Sequence, residues 1–228
     1  MGTDRPVATE PLRNPQRDVH CADAIAWMRY RGRLQGACAV TSLPDVSEVG
    51  LSMAAWRSWF LEAVRAVIDA VPDESAALFF QSDIKRDGAW IDKGAWVVRA
   101  AEDAGARVLF HKIVCRHPPG MLTKGRPGYT HLVAVSRGLR CPDMLSMPDV
   151  ITDAGRLTWV RAMGVRAAAH AVRFARDQAG AQVIFDPFCG VGTVLAVANA
   201  LDLDAIGVEK SRKRAEQSRT LIIDGGDL

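Results

Sequence analysis

Apolar positions fall along this chain in two rhythms. Short runs closed by glycine, proline or charge read as strands: GACAVT at 36–41, AALFFQ at 76–81, RVLFHKIVC at 107–115, VIF at 183–185 and AIGV at 205–208. Residues 129–136 supply a hairpin partner for 107–115 across a Pro/Gly-rich loop at 117–125. The second rhythm is helical. Asp23 is placed to cap a helix that starts at residues 24–28, and Leu51, Trp56, Trp59, Phe60, Val64, Val67 and Ile68 form one apolar stripe over 46–69. Further helices are predicted over 95–104, 158–179, 195–201 and 211–222. Residues 82–88 read as a charged turn and 141–153 as a connector. Residues 1–17 read as a flexible polar lead-in without periodicity.

One unit in this pattern carries chemistry. Residues 182–210 read as strand, glycine loop, helix, strand. Gly190 and Gly192 let the backbone turn sharply and present amides at a helix N-terminus to a ligand. Glu209 closes the second strand about 20 residues after the loop, where a ribose hydroxyl pair is usually held. A dinucleotide loop would carry G-x-G-x-x-G, and Leu195 stands at the third glycine position. The octet DPFCGVGT at 186–193, followed by GVEK at 207–210, resembles motifs I and II of the S-adenosylmethionine-dependent amino-methyltransferases, which methylate exocyclic amines of nucleic-acid bases.

The resemblance implies an α/β, Rossmann-like class I methyltransferase fold, with a mostly parallel central sheet and helices on both faces. It implies S-adenosyl-L-methionine as cofactor. The donor pocket would be built by Asp186, Pro187, Phe188, Cys189, Gly190, Gly192 and Thr193, with Glu209 on the ribose and Lys210 next to it. It also implies an adenine contact for Asp23, and a contact to the methionine end of the donor from Arg161, Met163 or Gly164. The catalytic loop comes first and the glycine loop near the C-terminus, as in the permuted β-type order; the resemblance spans about residues 18–217.

Ser42-Leu43-Pro44-Asp45 follows the strand at 36–41 and resembles the family's catalytic tetrapeptide, usually Asp/Asn/Ser-Pro-Pro-aromatic. An exocyclic amine is a poor nucleophile because its lone pair is delocalised into the ring. Accepting its hydrogens on the Ser42 hydroxyl and the Leu43 carbonyl would draw the nitrogen toward tetrahedral geometry, and Pro44 would stiffen the loop. The serine form resembles the subset acting on cytosine N4. Asp45 stands where the family has an aromatic that stacks on the base, a loss of roughly 1–3 kcal/mol of binding; with Ser42 and Leu43 it is read as facing the amine, where it could accept an amine hydrogen or a proton, or pair with a cation on the substrate. Trp56 or Trp59 is the candidate substitute. Asp83, Lys85 and Lys93 beside this loop, and Lys124 and Arg126 in the basic loop near Lys112 and Arg116, are read either as solvated charges or as substrate contacts.

No large target-recognition insert interrupts the chain. That argues against a sequence-specific DNA enzyme acting alone and leans the expected substrate toward RNA, or toward a specificity partner; a homodimer stays open. At 228 residues and 49% hydrophobic content the chain can bury one core. A single domain is expected over 18–228, with a catalytic-loop half at 18–140 and a donor half at 155–217. There is no apolar run of about 18 residues and no secretory h-region. Five cysteines (Cys21, Cys38, Cys115, Cys141, Cys189) without C-x-x-C predict neither disulfides nor a metal site and fit a reducing cytoplasm. His170, in an Ala/Val-rich stretch, reads as packing. A net charge of +3 is compatible with a nucleic-acid partner. Two other classes stay open: a small-molecule N- or O-methyltransferase, and a non-catalytic RNA- or protein-binding subunit that kept the fold.

Overall fold

The computed structural model describes residues 14–141, 147–160 and 162–228. Its strands are β1 (Arg17–His20), β2 (Ala37–Thr41), β3 (Ala77–Gln81), β4 (Ile84–Arg86), β5 (Ala89–Ile91), β6 (Arg107–Cys115), β7 (Tyr129–Ser136), β8 (Val150–Ile151), β9 (Val183–Asp186) and β10 (Asp204–Val208). Its helices are α1 (Ala24–Arg31), α2 (Val46–Val49), α3 (Met53–Asp69), α4 (Lys93–Asp103), α5 (Val165–Asp177), α6 (Thr193–Ala200) and α7 (Arg212–Thr220).

Eight strands form one sheet in the order β1-β10-β9-β2-β3-β7-β6-β8. Five of its seven pairings are parallel, and β7 runs antiparallel to both neighbours. Both faces are covered, so β2 and β3 are buried at every pleat position and, up to Thr41 and Gln81 at their ends, apolar on both faces rather than alternating. Cys38, Val40, Leu78 and Phe80 point into a core shared with α5, α6 and α7. Ala37, Ala39, Ala77 and Phe79 point into the opposite core with α1, α3 and α4. The chain leaves β9 and β2 in opposite directions across the sheet, so the order reverses between these two central strands. The loops at their C-terminal ends, 186–192 and 42–45, therefore flank the crevice where open α/β sheets place ligands.

Five expectations are corrected. Arg17 already belongs to β1 and the Gln16 amide is bound by Asp204, so the lead-in is shorter than 1–17; residues 1–13 lie outside the described residues. The stripe at 46–69 is two helices, because Gly50 ends α2 in the left-handed region at φ +69° and Ser52 caps α3. The charged turn at 82–88 is part of a hairpin, β4–β5, closed by Asp87-Gly88 with both φ positive. The connector contains β8, which pairs with β6. The helix expected over 158–179 starts only at Val165. Gly164 has φ +94°, and a Cβ there would lie 2.3 Å from the Ala154 carbonyl oxygen, so the preceding residues fold back over the sheet end.

Candidate active site

Thr41, the last residue of β2, donates its hydroxyl to Asp186 Oδ1 at the end of β9 at 2.6 Å. This bond ties the two loop-bearing strands together at the crevice. Asp186 Oδ1 also accepts the Phe188 amide at 3.1 Å, which sets the start of the glycine loop. Burial pushes the Asp186 carboxyl up to about 7, against these two bonds and with some help from the Glu209 charge. Gly190 then turns the chain at φ +56°.

A cavity of about 470 Å³ opens above these strand ends, within the range of small-molecule sites. Asp23, Asp186, Pro187, Phe188, Cys189 and Gly190 line it, as do Thr193, Glu209 and Lys210. Glu209 is buried; its Oε1 accepts the Ser211 amide at 2.7 Å and pairs with Arg214 at 3.0 Å, while Oε2 has no partner among the described residues. Asp23 caps α1 by accepting the Ala26 amide at 3.1 Å, the capping role read from the sequence, and it also lines the cavity. Two expected donor residues stand outside the lining. A Cβ on Gly192 would lie 2.7 Å from the Ser218 Cβ, so that glycine serves the packing of α6 on α7, and Gly164 serves the fold-back described above. Met163, Ala162 and Trp159 of that folded-back segment do line the cavity; Arg161 lies outside the described residues. Trp159, Glu48 and Arg214 are lining residues that no sequence motif marked.

A second cavity of about 110 Å³ adjoins the first. Ser42, Leu43 and Met163 line both, so the loop at 42–45 sits at their junction. The Leu43 side chain is buried at 3% exposure, anchoring the loop, and its carbonyl accepts no hydrogen bond among the described residues. The next carbonyl, of Pro44, accepts from Trp56 Nε1 at 3.3 Å. Trp56 is fully buried and is thus a support for the loop, not a stacking platform. Trp59 lines the donor cavity and packs edge-on against Phe188 at 5.8 Å between centroids.

Asp45 lies in the smaller cavity, 3.2 Å from Lys93 Nζ and 3.9 Å from Arg126. Lys93 is only 4% exposed; burial lowers its pKa and Asp45 offsets this in part. Of the other expected substrate residues, Lys85 is exposed on β4, 4.9 Å over the Trp90 ring, and Lys124 is exposed in the loop between β6 and β7. Asp83 is buried and accepts from His131 at 2.9 Å, Trp90 at 2.9 Å and the Lys93 amide at 2.9 Å. Burial raises its pKa, but the bonds from His131, Trp90 and the Lys93 amide outweigh burial and leave it low. Asp83 thus positions Lys93 and is not open to a substrate. Asp83, Asp92 and His131 come close enough to chelate an ion, but Asp83 spends its oxygens on these bonds and Asp92 Oδ1 caps α4, so no metal is assigned. All five cysteines are free thiols.

A family model described as DNA methylase matches residues 176–220, which contain the glycine loop and Glu209. Among solved structures, a Thermus thermophilus protein assigned as a DNA modification methylase, complexed with S-adenosyl-L-methionine, is 18% identical, with a TM-score of 0.68 over 89% of this chain and 91% of that one. The cytosine-N4-specific PvuII DNA methyltransferase is 12% identical, with a TM-score of 0.71 over 91% and 87%. The complex of M1.HpyAVI with S-adenosylmethionine is 13% identical, with a TM-score of 0.61 over 90% and 98%. A search of curated proteins finds no match. Fold, glycine loop and matched segment define the class: an S-adenosylmethionine-dependent methyltransferase with the class I fold. No helix among the described residues is long and apolar enough to cross a membrane.

Proposed function

We propose that the chain transfers a methyl group to an exocyclic amine of a nucleic-acid base, with DNA as the substrate and N4 of cytosine as the preferred position. The observation that carries this reading is the junction at Ser42 and Leu43, which border the donor cavity on one side and a pocket lined by Lys93, Arg116 and Arg126 on the other. A closed apolar pocket there would have favoured a small-molecule acceptor; the cations favour a polyanion. The lean toward RNA in the sequence reading finds no support. The matched family segment is that of DNA methylases, and the PvuII enzyme, with the same overall fold, is cytosine-N4-specific.

S-adenosylmethionine, when bound, supplies an electrophilic methyl group on a sulfonium. Glu209 would take the ribose hydroxyls, Asp23 the adenine amine, and the loop from Asp186 to Gly190 would fix the donor against the strand ends. Ser42 Oγ and the Leu43 carbonyl would accept the two hydrogens of the target amine, holding its lone pair toward the donor cavity. Tritium transfer from the labelled donor onto cytosine-containing oligonucleotides tests this. Ser42→Ala is expected to lower kcat by roughly 100-fold with little change in donor affinity. Label that reaches only metabolites, or a Ser42→Ala variant with wild-type turnover, would overturn the reading.

A further inference from the structure

We propose that Arg116 and Arg126 form an anion seat in the acceptor pocket that holds a phosphate group of the methyl acceptor. The seat rests on the functional reading above and names a further part of its substrate. Arg116 follows β6 directly, and its amide donates to the Gly128 carbonyl at 2.8 Å, closing the base of the loop between β6 and β7. That closure sets the guanidinium, half-buried, into the lining of the smaller cavity. There it makes no hydrogen bond or ion pair among the described residues, and its charged neighbour is Arg126.

Charged groups that enter a protein surface this far are normally paired. In this pocket the charges do not balance. Asp45 serves Lys93 and Arg126 together, and Glu48, the other carboxylate in the lining, accepts the Asp45 amide at 3.0 Å. Among the described residues lining the pocket, three cations thus stand with two carboxylates, and Arg116 is the cation with no carboxylate bond or ion pair. A planar guanidinium fork beside a second one suits a phosphate with several acceptor oxygens. Ser42 lines the same pocket, so a phosphate here would lie beside the nucleotide whose amine reaches the catalytic loop.

Arg116→Gln removes the charge and leaves a shorter, polar side chain. Two measurements on the full chain separate the seat from the functional reading. In the first, inorganic phosphate is titrated while the arginine Nε–H signals are followed by NMR; a shifted signal that is missing in Arg116→Gln supports the seat. In the second, binding of a mixed-sequence oligonucleotide is followed between 50 and 200 mM salt. One lost phosphate contact should make Arg116→Gln about threefold less sensitive to that rise than the wild type, with donor binding and melting unchanged. If phosphate shifts the Arg116 signal but no oligonucleotide is methylated, the seat stands, the nucleic-acid reading falls, and a free phosphorylated acceptor is indicated. If the wild type methylates oligonucleotides while Arg116→Gln keeps the same KM and salt dependence, the seat is wrong and the reading survives.

Discussion

Asp186 is the residue at which the fold and the donor site compete for one carboxylate. It is buried, it receives the Thr41 hydroxyl and the Phe188 amide, and its pKa stands at about 7 instead of near 4. The folded, ligand-free protein therefore holds a proton that the unfolded chain has released between about pH 4 and pH 7. Stability is greatest below that window and falls as pH rises through it. A cationic donor in the same cavity favours the ionised carboxylate. We expect S-adenosylmethionine binding to tighten as pH rises from 6 to 8 and to release up to about one proton, read by calorimetry in buffers of different ionisation enthalpy. Asp186→Asn keeps an acceptor oxygen for Thr41 and Phe188 and should abolish both the proton release and the decline in stability. A donor affinity that stays flat with pH in the wild type would show that Asp186 is already ionised in the free protein.

At the scale of elements, the glycine loop and its helix show how one motif divides between cavity lining and packing. Gly190 borders the donor cavity, whereas Gly192, at φ +90°, is where α7 crosses α6. Gly192→Ala would add left-handed strain and a Cβ into Ser218, and we expect a loss of about 2–4 kcal/mol, read as a lower urea midpoint at constant m. The part that stays folded should bind the donor normally, which would separate a packing role from a ligand role. The motif itself could not make this distinction, because GxG spacing is local and the approach of Ser218 is not. The same limit explains the other differences. Strands β2, β3, β9 and β10 were legible because burial on both faces makes them plainly apolar. Gly50 and Ser52, and the Asp87-Gly88 turn, carried break and hairpin signals that the apolar stripe and the charges around them masked. The folded-back segment at 154–164 left no such trace. Its Leu157, Trp159, Val160 and Met163 fit a helical stripe, whereas Gly164 packs closely on Ala154 at φ +94°, and Trp159 and Met163 line the cavity. Asp83 was misread for a related reason. A charge near a strand's C-terminal end looks like a site residue until the donors that enclose it, His131 and Trp90 above all, are placed beside it in space.

For the whole molecule, the decisive feature is what surrounds the acceptor pocket. The sheet carries the two cavities at the C-terminal ends of its central strands, and the cations Lys93, Arg116 and Arg126 give that end a field suited to a polyanion. Among the described residues the short loop between β6 and β7 and the segment carrying Val160 and Met163 border the acceptor pocket, and Asp45, tied to Lys93, stands at the position where the resemblance implies a stacking aromatic. Taking a paired base out of a duplex costs a few kcal/mol, and an absent stacking platform forgoes roughly 1–3 kcal/mol of what would offset it. A base that is already unpaired avoids that cost. We therefore expect kcat/KM on a single-stranded or mismatched target to exceed that on the matched duplex by about 10-fold or more, measured by methyl transfer onto otherwise identical oligonucleotides. Restoring an aromatic with Asp45→Tyr would not be a clean control, because it also strands the buried Lys93 ammonium. The cleaner comparison varies the substrate alone. Equal rates on duplex and single strand would mean that the protein itself fills the gap left by the base. Met121 and Leu122, both strongly exposed in the loop that Arg116 and Arg126 bracket, would then be the side chains to truncate.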